Sequence, residues 1–129
     1  MQAKNGHLYY EDGTRARFLG FNMATRSNAV NHELAEKLAG RFASLGVNVI
    51  RLHAADAPIG EQERSWSSCK EAPLLDYEKG TSRFFHPEGL DRFDYFVAKL
   101  KEKGIYIHID LIVAREFLLG DELDYDTKV

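Results

Sequence analysis

The 129-residue sequence has little cysteine, no excess of basic charge and no long apolar run. Its single cysteine, Cys69, cannot close an internal disulfide, and there is no cysteine cluster of the kind that binds zinc. Basic residues number 17 and acidic residues 20, so we expect no nucleic-acid partner. No apolar stretch is long enough to cross a bilayer, and residues 1–6 do not resemble a signal peptide. We therefore expect no membrane association, and the sequence leaves the localisation open.

Apolar side chains are plentiful. Hydrophobic residues make up 44% of the chain and aromatic residues 12%, which argues against disorder. A chain of this length and composition can bury the core of one ordinary domain, residues 1–129.

The first half of the chain predicts a hairpin, a strand, a helix and a second strand. Asp12-Gly13 favours a tight turn inside a hairpin over residues 7–21, and a separate strand begins near Gly20. A helix over residues 31–45 follows, with Asn31 as its N-cap and Gly46 ending it. The β-branched run at residues 47–53 predicts the next strand.

The second half repeats the helix–glycine–strand pattern after a long loop over residues 54–85. Pro87 suits the first turn of a helix capped by His86, and Gly104 ends that helix. Residues 105–113 then alternate as a strand. The βαβαβ order over residues 22–113 predicts a parallel sheet whose functional side chains gather at the carboxyl ends of the strands.

Polar side chains share one face of the predicted strands. Tyr106, His108 and Asp110 alternate with an apolar row, and Arg51 and His53 share one face of the preceding strand. An open doubly wound sheet is covered on both faces and tends to be apolar on both, so a polar row favours the lumen of a barrel.

Several stretches resemble the N-terminal part of a cellulase-like glycoside hydrolase of clan A, close to family five. They are residues 5–14, 17–22, 45–53, 90–96 and 103–111. The strongest pair is Leu-Gly-Val-Asn-Val-Ile-Arg, ending at Arg51, with Lys-Gly-Ile-Tyr-Ile, beginning at Lys103.

This resemblance implies an α/β fold: a partial (β/α)8 TIM barrel with an N-terminal hairpin, about three parallel strands and two helices. It implies retaining hydrolysis of a β-linked polysaccharide or glycoside, without a cofactor. In this family the hairpin closes the barrel floor, Arg51 would support the nucleophile, and Asn22 would lie near the substrate. The histidine that usually ends the third strand is Ile112 here.

The resemblance also implies that both catalytic glutamates are missing. The acid/base residue belongs to an Asn-Glu pair after the fourth strand, and the nucleophile ends the seventh. No Asn-Glu pair occurs in this sequence, and such a barrel needs about 250 residues. We therefore expect a fragment that is inactive alone and whose partners are the missing C-terminal barrel half and a carbohydrate substrate.

The candidate site residues are Asn22, Arg51, His53, Trp66 and Asp110. Each has a plainer alternative: a turn for Asn22, a structural ion pair for Arg51, a hydrogen-bonded loop residue for His53, loop packing for Trp66, and a lumen hydrogen-bond network for Asp110. Trp66 could stack on a sugar ring, as could Tyr77.

Two other functions stay open. A metal-dependent barrel hydrolase could use His53, His108 and Asp110, with Asp56 as a further ligand, although a lumen hydrogen-bond network is the simpler interpretation. A non-catalytic α/β module could instead bind a carbohydrate or a partner through the aromatic loop.

Overall fold

The N-terminal hairpin begins the chain in this computed structural model, which describes residues 1–58 and 73–123. Strands β1 (Gln2–Lys4) and β2 (His7–Tyr9) pair antiparallel. The two residues between them, Asn5 and Gly6, have φ angles of 51° and 73°. Such a pair of positive angles is what a two-residue type I′ hairpin turn requires.

This hairpin lies earlier than the one predicted over residues 7–21. Asp12-Gly13 does turn the chain, and the Gly13 amide donates to the Tyr10 carbonyl oxygen at 3.1 Å. Beyond this turn a short antiparallel pairing forms: Tyr9 bridges Arg15, the Tyr10 amide donates to the Thr14 carbonyl oxygen at 2.8 Å, and the Ala16 amide donates to the Leu8 carbonyl oxygen at 2.8 Å. The predicted turn at Asp12-Gly13 is therefore present, but its pairing covers residues 8–16 and not 7–21, and a hairpin that the sequence did not predict precedes it at Asn5-Gly6.

Three parallel strands form the main sheet, as predicted. They are β3 (Gly20–Ala24), β4 (Val49–His53) and β5 (Tyr106–Ile109), in the order β3-β4-β5. Strands β4 and β5 are shorter than the predicted ranges 47–53 and 105–113. The result is a mixed α/β fold with a parallel sheet.

Two helices connect the strands, and their sequence-predicted ends are confirmed. Helix α1 (His32–Ser44) is capped by Asn31, whose side chain accepts from the Leu34 amide at 2.9 Å. Helix α2 (Pro87–Glu102) is capped by His86, whose Nδ1 accepts from the Gly89 amide at 3.3 Å. No helix in the described part of the chain is long and apolar enough to span a membrane.

Both helices pack on one face of the sheet and form the core there. Ile50 and Leu52 of β4 are fully buried against side chains from the two helices. The helix residues in this core are Ala35, Ala39, Phe42, Phe96 and Leu100. Each large apolar side chain buried in this way contributes about 1.5–3 kcal/mol.

The opposite face of the sheet carries the polar side chains, and neither α1 nor α2 packs against it in the described part of the chain. At its amino-terminal end the segment after the hairpin covers Tyr106, with the ring of Tyr10 stacked on it and the ring of Phe18 edge-on at 5.9 Å. Across the middle, Asn22, Arg51 and His108 stand side by side on neighbouring strands. Two aromatic rings therefore contact the polar face at the amino-terminal end of the strands, where Tyr106 stays 45% exposed.

Candidate functional site

Asp110 lies at the centre of the polar cluster, directly after β5. Its carboxylate accepts two hydrogen bonds from Arg51, at 3.2 Å from Nε and 2.8 Å from Nη2. This paired geometry is the strongest way in which arginine binds a carboxylate. The Asp110 side chain is only 10% exposed and that of Arg51 44% exposed, so the carboxylate is enclosed while the guanidinium still faces the open side.

The same carboxylate holds His53, the last residue of β4. His53 Nδ1 lies 2.6 Å from Asp110 Oδ2, and because an ionised carboxylate only accepts, the proton is on Nδ1. His53 Nε2 has no hydrogen-bond partner among the described residues. The contact with Asp110 thus fixes the tautomer of His53 and leaves Nε2 as the nitrogen that can accept a hydrogen bond.

Hydrogen bonds from His53 and from Arg51 hold the pKa of Asp110 below its usual value. Burial opposes this effect but does not overcome it. His108 is more distant, with Nε2 3.7 Å from Asp110 Oδ1 and its side chain 67% exposed. We call Arg51, His53, His108 and Asp110 the Asp110 cluster. It contains one carboxylate, whereas retaining glycoside hydrolysis uses two, about 5 Å apart.

The remaining candidate residues are placed as follows. Asn22 is exposed on β3 opposite Arg51 and faces the same open side. Ile112, in the segment after β5, is exposed. Trp66 and Cys69 lie outside the described residues, so the stacking role predicted for Trp66 remains a prediction.

Asp56 does not join the Asp110 cluster. Its carboxylate accepts from the backbone amides of Val113 and Ala114 at 3.0 and 3.2 Å. The Tyr77 hydroxyl donates to the Asp56 carbonyl oxygen at 2.6 Å, and burial raises the pKa of Tyr77. The Tyr77 hydroxyl therefore connects the loop before α2 to the residues after β4, and the sugar contact considered for its ring stays a prediction.

The metal-dependent alternative has no geometric support in residues 1–58 and 73–123. No group of three or more histidine, cysteine or acidic side chains in these ranges could hold a metal ion. The carboxylate of Asp56, the further ligand considered for that alternative, is bound to backbone amides instead.

A cleft of about 400 Å³ opens next to the Asp110 cluster. Its wall includes Asp56, Ser82, Phe85, Phe93, Asp110 and Arg115. Arg115 braces the wall, because its Nε and Nη2 donate to the hydroxyl and carbonyl oxygens of Ser82 at 2.9 and 2.5 Å. The segment after β5 is thus attached to the loop that precedes α2.

Asp121 also connects the segment after β5 to the loop that precedes α2. This buried carboxylate accepts from the Leu118 amide at 2.7 Å, from the Thr81 hydroxyl at 2.7 Å and from the Ser82 amide at 2.9 Å. Burial by itself would raise the pKa of Asp121, but these hydrogen bonds hold it well below the usual value. No motif in the sequence indicates a role for Asp121.

Asn28 is a second residue that sequence reasoning missed. It is 1% exposed and donates from Nδ2 to the His53 carbonyl oxygen at 2.8 Å. The residues that follow β3 and β4, Thr25 and Ala54, both have φ angles of 51°. Non-glycine residues rarely adopt this conformation, and it concentrates at functional sites. Neither the hydrogen bond from Asn28 to His53 nor these backbone angles can be predicted from the sequence.

Comparison with known proteins gives a likeness in structure. No protein-family model matches the sequence, and no curated protein matches it. A glycoside hydrolase family 5 crystal structure from Bacteroides vulgatus ATCC 8482 has a TM-score of 0.51 and 14% identity, covering 80% of this chain and 22% of that chain. A second structure, described as a glycoside hydrolase, has a TM-score of 0.51 and 18% identity, covering 82% of this chain and 24% of that one.

The chain therefore spans less than a quarter of each structure that it matches. At such low identity the likeness concerns the fold. The mixed α/β fold of this chain, with its three parallel strands and two helices, is similar to part of a glycoside hydrolase family 5 structure.

Proposed function

We propose that the chain is the N-terminal portion of a (β/α)8-barrel glycoside hydrolase that cleaves a β-linked polysaccharide or glycoside with retention. The observation that carries this proposal is the Asp110 cluster, which lies on the open polar face at the carboxyl ends of parallel strands. Active sites of barrel enzymes lie at that end. The likeness to glycoside hydrolase structures supports the same assignment.

In this proposal Asp110 is a positioning residue for two groups that face the substrate side. Its carboxylate holds the guanidinium of Arg51, which supports the nucleophile supplied by the rest of the barrel. It also holds His53 so that Nε2 can accept a hydrogen bond from a sugar hydroxyl. Asn22 and Trp66 complete the contacts to the sugar, whereas Ile112 cannot make the hydrogen bond of a histidine.

Both catalytic glutamates lie outside the chain in this proposal, and residues 1–129 alone are inactive. The missing barrel half is then the chain's principal partner. Two observations support this: the chain covers only 22–24% of the similar structures, and apolar side chains are exposed at both edges of the sheet, as Phe21 and Ile109 illustrate.

The decisive experiment is to determine the encoding reading frame beyond Val129. We expect an Asn-Glu pair after a fourth strand and a glutamate ending a seventh, and we expect the longer product to hydrolyse aryl β-glycosides while residues 1–129 do not. A natural stop after Val129 would remove the hydrolase assignment. Stoichiometric zinc or manganese in the dialysed protein would favour the metal-dependent alternative instead.

The role of Arg51 is tested in that longer product. Arg51→Ala removes the cation beside the nucleophile, so kcat should fall by about 100-fold or more, the scale of losing one well-placed electrostatic group. Arg17→Ala removes an arginine from an exposed position before β3 and should leave kcat unchanged. Equal kcat values for the two variants would contradict the assigned role of Arg51.

A further inference from the structure

The amide of Asn28 is enclosed and only half satisfied. Its Nδ2 donates to the His53 carbonyl oxygen at 2.8 Å. Exchanging the oxygen and nitrogen of this amide would set two acceptors against each other, so the orientation is fixed by chemistry. Oδ1 then remains, buried and without a hydrogen-bond partner among the described residues. A buried acceptor left in this state is costly.

A small cavity lies against this side chain. It measures about 10 Å³ and is lined by Asn28, Thr25, Ala55 and residues of the loop before α2. A cavity needs roughly 10–15 Å³ to hold one water molecule. The Thr25 hydroxyl makes no hydrogen bond with any described residue, so a second polar group is available in the wall of the cavity.

We propose that this cavity binds a single water molecule that donates a hydrogen bond to Asn28 Oδ1, and that Asn28, held on both sides, is a positioning residue for His53. The water satisfies the buried acceptor, and the amide then fixes the carbonyl of the last residue of β4. The ring of that residue contacts Asp110 at 2.6 Å. A small displacement of the end of β4 would lengthen this contact.

The positive φ angles of Thr25 and Ala54 fit this arrangement. Both residues immediately follow a strand, and Thr25 also borders the cavity. Backbone held in this region persists only where the surroundings impose it. In this proposal the Asn28 amide and its water supply that restraint, because the amide bonds the last residue of β4 and the cavity borders Thr25, the residue after β3.

The water is tested first, on the unaltered chain. We expect a high-resolution crystal structure to show one ordered water within hydrogen-bond distance of Asn28 Oδ1. We also expect the Asn28 side-chain amide protons to show NMR cross-relaxation with a long-lived water. An empty cavity in both measurements would overturn the water site.

The positioning role is tested with two variants of the same kind. Asn28→Ala should weaken the His53–Asp110 hydrogen bond, so the pKa of the Asp110 carboxyl, followed by carbon-13 NMR, should rise toward that of an unpaired aspartate. Asn31→Ala removes a side-chain amide that bonds the Leu34 amide and not His53, and it should leave the pKa of Asp110 unchanged. An unchanged pKa of Asp110 in Asn28→Ala would overturn the role.

If Asn28→Ala does not fold, a second variant, Asn28→Ser, tests the same role. Asn28→Ser keeps a small side chain that can bind the water but is too short to reach the His53 carbonyl. It should show the same rise in the pKa of Asp110. None of these measurements requires catalytic activity, so their failure is distinguishable from failure of the proposed function.

Discussion

Asp110 binds two side chains of one strand, Arg51 and His53, whereas some acidic side chains in the described part of the chain bind a single exposed partner. Asp91 shows the contrast: it pairs with His32 at 2.9 Å and is 67% exposed. Exposed pairs of this kind contribute little to stability, while removing the anion from an enclosed cluster leaves its cation, Arg51, uncompensated. The difference gives a direct prediction for two matched substitutions.

Asp110→Asn should lower the thermal midpoint at pH 7 clearly more than Asp91→Asn does. The amide cannot compensate the charge of Arg51, and it accepts more weakly from His53. Thermal unfolding followed by circular dichroism is the measurement. If both variants melted at the same temperature, the Asp110 cluster would have no structural role.

The stability of the folded protein should also depend on pH, within a range that the two depressed aspartate pKa values define. The folded state holds the pKa values of Asp110 and Asp121 below those of unfolded aspartates. Their contribution is therefore complete above the unfolded pKa of about 3.9 and is lost as pH falls from about 5 through the folded values. Melting curves between pH 7 and pH 2 should show this fall.

The matched variant for that window is Asp121→Asn, which should be less stable at pH 7 and should lose less on acidification. A wild-type midpoint that stayed constant down to pH 2 would contradict the depressed pKa values.

Single residues were predictable where their partners are close in the chain. Asn31 and His86 cap helices through contacts three residues away, and the sequence identified both. The partner of Asn28 is 25 residues distant, and Asp121 bonds Ser82 at a separation of 39 residues as well as the nearby Leu118 amide. No local pattern encodes such a contact. Arg51, His53 and Asp110 were found together only because strand alternation and parallel order placed them on one face.

At the scale of elements, two helical glycines offer a test of packing. A Cβ at Gly40 of α1 would meet no atom within 4 Å, while a Cβ at Gly89 of α2 would overlap the Pro73 carbonyl oxygen. Gly40→Ala should therefore stabilise the protein by about 0.5–1 kcal/mol through helix propensity. Gly89→Ala should destabilise it by about 1–3 kcal/mol, because backbone must move.

Urea unfolding of the two variants measures the change in the free energy of unfolding, which should have opposite signs for the two substitutions. If Gly89→Ala proved as stabilising as Gly40→Ala, the close approach of α2 to the Pro73 loop would be wrong.

Element types were predictable from periodicity, but several boundaries were not. β5 ends at Ile109 although apolar residues continue to Val113, because Asp110 binds Arg51 and His53 and the Val113 amide binds Asp56. These are side-chain contacts across the sheet, which hydrophobic alternation cannot reveal. The extra strand β1 was missed because it has three residues and little apolar character.

At the scale of the whole molecule, the sheet has two open edges within the described part of the chain. Next to β5, Ile109 is 45% exposed and Leu111 87% exposed, and Phe21 of β3 is 48% exposed. Unpaired edges with apolar neighbours promote association between chains. A closed, non-catalytic module would not have this property.

Residues 1–129 should therefore self-associate with increasing concentration. Ile109→Lys places a charge beside the β5 edge and should shift the equilibrium toward monomer. Leu8→Lys, in the hairpin, adds the same charge away from the parallel sheet and should not. Sedimentation velocity distinguishes these outcomes, and a wild-type chain that stayed monomeric throughout would favour the non-catalytic module.

The contact of Asp110 with Arg51 and His53 has a consequence for how the sheet assembles. Side chains alternate along a strand, so a slip of β5 by one residue along β4 would send Asp110 to the helix side. Arg51 and His53 would then face Ile109 or Leu111, with no anion nearby. The same slip would carry the apolar row of β5, including Ile107, out of the core, so the charged row and the apolar row specify the same register. The groups that we assign to substrate binding thereby also discriminate against misaligned sheets during folding.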